Sequence, residues 1–78
     1  MTSAEERYQR TKAALDAARG QEEAACAQMD AARRFGPRSA QRAAAWLAFD
    51  TAGAALSAAA AAHITSIEAW LAELRSSP

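Results

Sequence analysis

The sequence predicts an all-α protein, a two-helix antiparallel hairpin that assembles into a four-helix bundle as a homodimer. Its 78 residues include 25 alanines, no valine and only two isoleucines, Ile64 and Ile67. Alanine is the best helix former and β-branched residues favour strands, so this composition indicates helix almost throughout. Gly36 and Pro37 interrupt the chain near its middle, which predicts two helices in a single domain over residues 1–78.

Helix 1 is predicted over about residues 4–34. Ser3 followed by Glu6 matches a capping box at its start, and Gly36 is expected to supply a left-handed stop at its end. One seam of this helix repeats at alternating spacings of three and four: Tyr8, Thr11, Leu15, Ala18, Glu22, Ala25, Met29 and Ala32.

A second stripe of helix 1 consists only of small residues: Ala13, Ala17, Gly20, Ala24, Ala27 and Ala31. Small side chains let another backbone come close, so this stripe is expected to be a tight packing surface. If the hairpin folds about its turn, Gly20 lies level with Gly53, which suggests a close crossing of the two helices there.

Helix 2 is predicted over about residues 40–75, after a turn at 35–39 and with Ser39 as its N-cap. Its seam has the same spacing over about four heptads. The seam residues are Trp46, Phe49, Gly53, Leu56, Ala60, His63, Ile67, Trp70 and Leu74.

The middle of helix 2 is nearly free of charge. Between Ala43 and Ile67 the only formally charged side chain is Asp50, with His63 as a second titratable group. A helix that is apolar most of the way round is expected to be buried by more than one neighbouring helix. The simplest source of further helices is a second copy of the chain, and a different protein is the alternative. The expected self-association residues are Trp46, Phe49, Gly53, Leu56, His63, Ile67 and Trp70. We expect no membrane span, because alanine contributes little to insertion.

The turn is rich in arginine, with the sequence RRFGPRSAQR at residues 33–42. Arg33 and Arg34 are expected in the last turn of helix 1, where the helix dipole favours cations. Arg42 lies in the first turn of helix 2, where the helix dipole does not favour a cation. The candidate partner-binding residues are Arg33, Arg34, Phe35, Arg38 and Arg42.

Three interpretations of these arginines stay open. They could be solvated or could pair with the glutamates at the open end of a second copy (Glu5, Glu6, Glu68 and Glu73), they could bind the acidic surface of a larger protein, or they could bind nucleic-acid phosphates. A formal net charge of zero disfavours nucleic acid.

No cofactor, metal site or catalytic centre is expected. Asp50, Ser57 and His63 follow one another at intervals of about two helical turns, too far to form a triad within one helix. His63 is expected to hydrogen-bond across a helix interface to Thr11 or Tyr8, with a role as a pH switch as the alternative. The single cysteine, Cys26, is expected to be a small packing residue among alanines.

These features favour a small, non-enzymatic interaction protein. A cytoplasmic location is expected because the N-terminus has no basic-then-apolar signal pattern. The abundance of alanine and of arginine over lysine suggests a bacterial or bacteriophage source, with a role as an accessory factor or as a modulator of a host complex. The alternative is a nucleic-acid-associated helical dimer that contacts phosphates through the arginine-rich turn. No motif identifies a family.

Overall fold

The protein is an all-α helical hairpin, as predicted. The computed structural model describes residues 3–77, which contain two helices, α1 (Ser3–Ala32) and α2 (Ala40–Ser76), and no strand. The start of α2 agrees with the prediction, and its end lies one residue beyond it. Ser3 lies inside α1 and does not precede it, and α1 ends two residues earlier than predicted.

The end of α1 differs from the expected left-handed stop. The Arg33 amide donates to the Asp30 carbonyl at 3.3 Å and the Phe35 amide to the Ala32 carbonyl at 3.0 Å, so the chain tightens into i→i−3 turns. None of the described glycines, Gly36 included, has a positive φ. Arg33 and Arg34 therefore lie beyond α1, and the prediction that they occupy its last turn is wrong.

The start of α2 is capped by Ser39, as predicted. Ser39 has extended backbone angles (φ −75°, ψ 150°), and its side-chain oxygen accepts a hydrogen bond from the Arg42 amide at 3.2 Å. Its carbonyl accepts from the Ala43 amide at 3.1 Å, which begins the helical ladder.

The seam predicted for α1 is confirmed as its inner face. Leu15, Ala18, Ala25 and Ala32 are buried, as is Ala4 one turn before the seam. The remaining seam positions are half-buried: Tyr8, Thr11, Glu22 and Met29.

The inner face of α2 is rotated from the predicted seam. Ala45, Ala52 and Ser66 are buried, and the half-buried residues that alternate with them are Phe49, Leu56, Ala59, His63 and Trp70. On this face Ala45, Ala52, Ala59 and Ser66 thus take the places predicted for Trp46, Gly53, Ala60 and Ile67. The placement of Trp46 and Leu74 on this face is wrong, since their exposed fractions are 52% and 56%. The small residues face α1 because they let the two backbones approach more closely than a tryptophan would.

The small-residue stripe of α1 lies on the exposed side of the helix. All six of its residues are exposed. A Cβ atom built on Gly20 or on Gly53 would meet no other atom within 4 Å, so the helices do not cross closely at these glycines. The expectation of a glycine crossing is therefore wrong.

The hairpin is a thin rod with a sparse core. Its extents are 63 × 15 × 12 Å, and within residues 3–77 the buried apolar residues are six alanines and Leu15. Its accessible surface is 5586 Å², against about 4,500 Å² for a compact monomer of this mass. A single hairpin therefore hides little apolar surface from water.

Candidate functional site

The arginine-rich turn divides its cations between two sides of the hairpin. Arg33 forms an ion pair with Asp30 at 3.4 Å, and both side chains are at least 70% exposed. An exposed pair of this kind contributes little stability, about 0–1 kcal/mol. The pair does place the Arg33 guanidinium on the side of the hairpin that carries Trp46.

On that side a small cleft lies between the ends of the two helices. It encloses about 220 Å³ and is lined by Met29, Ala32, Arg33, Arg42, Ala45 and Trp46. Two guanidinium groups and an indole around an apolar floor can hold a carboxylate together with an apolar side chain. The sequence predicted Met29 on the seam of helix 1. It did not predict the cleft, because the predicted seam of helix 2 did not include Ala45.

Arg34 and Phe35 lie on the other side of the turn. The Arg34 guanidinium stacks over the Phe35 ring at 4.9 Å from its centroid, and Phe35 is half-buried. An open groove beside them is lined by Gln28, Ala31, Gln41 and Ala44. The five predicted partner-binding residues therefore do not form one patch. Within residues 3–77, Arg38 and Arg42 form no ion pair.

A polar cluster joins the beginning of α1 to the end of α2. The Thr11 hydroxyl lies 3.0 Å from His63 Nδ1 and 2.6 Å from the Ser66 hydroxyl. The Thr11 hydroxyl oxygen also lies 3.0 Å from the Tyr8 carbonyl oxygen, and the Ser66 hydroxyl oxygen lies 2.8 Å from the His63 carbonyl oxygen. Each hydroxyl has a single proton, so the two hydroxyls and the carbonyls share these protons within one network. Of the two partners predicted for His63, Thr11 and Tyr8, Thr11 lies within hydrogen-bond distance of the ring nitrogen, whereas Tyr8 contacts His63 through its ring. Ser66 was missed because the sequence pattern placed Ile67 in its position.

Aromatic rings cover this cluster. The Tyr8 ring lies 5.1 Å from the His63 ring and 4.8 Å from the Trp70 ring, centroid to centroid. Ser66 is only 1% exposed, which makes it the most deeply buried side chain among the residues described. Hydrogen bonds between polar side chains of two helices, with one of them buried, favour a single alignment of those helices.

The Thr11 hydroxyl and His63 Nδ1 lie as close together as a nucleophile and its general base do. The two hydroxyls are engaged with backbone carbonyls, and no carboxylate contacts His63 in the described part of the chain. Asp50 and Ser57 are exposed and lie elsewhere on α2. No group of three potential metal ligands comes together between residues 3 and 77.

Several apolar side chains remain open to solvent on α2. Their exposed fractions run from 43% to 68% for Trp46, Leu47, Ile64, Leu71 and Leu74. Cys26 is exposed as well, so the expectation that it packs inside is wrong. It follows Ala25 directly and therefore points away from the inner face of α1.

α2 is also long and apolar enough to cross a membrane by length and composition. An 18-residue window in Ala40–Ser76 has a mean hydropathy of 1.2, and 6% of that window is buried inside the hairpin. One such helix is weak evidence for a span.

Comparisons with protein-family models, with curated proteins and with solved structures find no match to this chain.

Replacing Thr11 by valine tests whether the polar cluster holds the helices together. Thr11→Val keeps the shape and helix preference of the side chain but removes the hydroxyl that joins His63 and Ser66. We expect the free energy of unfolding to fall by about 1–2 kcal/mol, measured by denaturant titration. The matched control is Thr65→Val, because the exposed Thr65 hydroxyl bonds only to the Ala61 carbonyl of its own helix. Equal stabilities for the two variants at the same protein concentration would contradict this role.

Proposed function

We propose that this chain is a small, cytoplasmic, non-enzymatic interaction module. In this proposal two antiparallel hairpins associate through α2 into a four-helix dimer, and the arginine-rich turn binds an acidic surface of a larger protein. A bacterial accessory factor and a phage-encoded modulator of a host complex are both roles that such a module can fill.

The observation that carries this proposal is the mismatch between the buried and the exposed apolar residues. Inside the hairpin the buried apolar residues that the structure describes are alanines and Leu15, whereas Trp46, Leu47, Ile64 and Leu74 are more than half exposed. A short chain with so small a core is marginally stable alone. Covering the exposed side chains supplies the missing apolar burial.

The surface area supports a second copy as the cover. The accessible surface exceeds that of a compact monomer by about 1,000 Å², and a stable interface buries about 800 Å² on each partner. A symmetric dimer can therefore remove most of the excess with one interface.

The turn supports a role in binding an acidic protein segment. Arg33, Arg42 and Trp46 line one cleft together with the apolar side chains of Met29, Ala32 and Ala45. A carboxylate beside an apolar side chain fits this combination better than a bare phosphate does, because an indole contributes apolar contact area as well as its ring face.

Solution mass tests the self-association. Light scattering on a sizing column should give twice the 8.2 kDa chain mass, and the same value at low and at high salt, because apolar contacts are not screened. A monomer at both salt concentrations would contradict the proposal. Recovery only with membranes or detergent would instead favour insertion of α2.

Nucleic-acid binding is the alternative function, favoured by the absence of ion pairs at Arg38 and Arg42 within the described residues. We expect neither a labelled duplex nor a labelled single strand to shift in a gel at low salt. A shift that weakens steeply with added salt would reverse this expectation, since phosphate neutralisation releases counterions. Arg38→Gln combined with Arg42→Gln should then abolish the shift, while Arg19→Gln, far from the turn, serves as the control.

A further inference from the structure

A second stripe runs along α2 beside its inner face. Its residues follow one another at the same alternating spacing of three and four, and we call them the outer stripe: Ala43, Trp46, Asp50, Gly53, Ser57, Ala60, Ile64, Ile67, Leu71 and Leu74. Seven of the ten are exposed, and Gly53, Ala60 and Ile67 are half-buried. The outer stripe thus has the pattern of a helix seam, and most of it is exposed to solvent.

The outer stripe contains three of the seven predicted self-association residues. Trp46, Gly53 and Ile67 lie on it, whereas Phe49, Leu56, His63 and Trp70 lie on the face toward α1. His63 and Trp70 contact the Tyr8 ring within the hairpin, and Phe49 and Leu56 are half-buried there. A partner helix therefore has the outer stripe available to it.

Asp50 decides the orientation of two copies that meet along this stripe. In a parallel pair the two Asp50 carboxylates would face each other inside an apolar interface, which is unfavourable. In an antiparallel pair centred on Ser57 they are separated by about 21 Å along the axis, at 1.5 Å per residue. Antiparallel neighbours also oppose their helix dipoles.

Side-chain size favours the same arrangement. The second half of the outer stripe carries the large residues Ile64, Ile67, Leu71 and Leu74, while the first half is small apart from Trp46. Antiparallel pairing sets Leu71 opposite Ala43 and Ile64 opposite Asp50, while Trp46 lies level with the gap between Ile67 and Leu71. At the centre Gly53, Ser57 and Ala60 let the two backbones approach closely.

Charge at the hairpin ends contributes less to the orientation of the two copies than expected from the glutamates alone. Glu68 and Glu73 lie near the end of α2, but Arg75 follows them, and Arg7 and Arg10 follow the glutamates of α1. The open end is therefore of mixed charge, and Asp50 and side-chain size set the orientation.

We propose that the outer stripe of α2 packs on the outer stripe of a second copy, antiparallel and centred on Ser57. This inference rests on the self-association proposed above and adds its face, orientation and register. Trp46 of each chain then packs between Ile67 and Leu71 of the other copy, and α1 of each hairpin lies outside this central pair.

Cysteine cross-linking tests this register in a Cys26→Ser background. Ala43→Cys and Leu71→Cys are prepared separately, one with a short tag so that each disulfide product has its own mass. On oxidation after subunit exchange, the mixture should give mainly the mixed disulfide, while each variant alone should cross-link little. The two copies of residue 43 in one dimer lie about 42 Å apart, far beyond disulfide reach. Thr51→Cys, on the opposite flank of α2, is the control and should not cross-link.

Other outcomes separate the possible failures. Efficient cross-linking of each variant with itself would show a parallel pair and overturn the inference. A dimeric mass with no cross-link from any pair would place the interface elsewhere, and self-association itself would stand. A monomeric mass would end both proposals.

A lysine scan tests the face without relying on disulfides. Ala60→Lys places a charge at the centre of the outer stripe and should yield a monomer by light scattering. Ala58→Lys makes the same change on the other flank and should remain dimeric. Dimers from both variants, with helicity unchanged, would overturn the inference.

Discussion

The close approach of α1 and α2 through small residues governs the rest of this structure. Ala45, Ala52 and Ser66 face α1, where Ala18, Ala25 and Ala32 are buried. Alanine costs no side-chain entropy on burial and permits near contact of backbones, but each alanine hides little apolar area. Five of the larger apolar side chains of α2 are left exposed: Trp46, Leu47, Ile64, Leu71 and Leu74. The hairpin thus gains alignment between its helices without gaining a substantial core.

The polar cluster of Thr11, His63 and Ser66 adds direction to this uniform seam. A face made mainly of alanine can slide or rotate with little penalty, because neighbouring alanines are interchangeable. A 2.6 Å contact between the Thr11 and Ser66 hydroxyls has few alternatives of equal quality. The fold thus takes its register from hydrogen bonds at its open end and leaves apolar binding capacity along the outer stripe of α2.

Composition and spacing were enough to predict the fold class, the two helices, the Ser39 cap, the inner face of α1 and a contact of His63 with Thr11 or Tyr8. The rotation of α2 was not predictable in the same way, because a helix with apolar residues at both 45 and 46, and again at 52 and 53, offers two seams of equal spacing. Side-chain size decided between the two seams, because the seam with smaller residues lets α1 pack closer. That effect cannot be read from the pattern of one helix alone. The end of α1 was misplaced because Gly36 permits a left-handed turn without requiring one.

If a second copy completes the folding of this chain, the midpoint of unfolding must depend on protein concentration. Measuring that dependence is the most direct test of the proposed dimer. If unfolding is coupled to dissociation, a hundredfold increase in protein concentration should stabilise the fold by the equivalent of about 2.7 kcal/mol, seen as a higher thermal midpoint by circular dichroism. A cooperative transition whose midpoint stays constant over that range would show that the hairpin is stable alone, and would contradict this account.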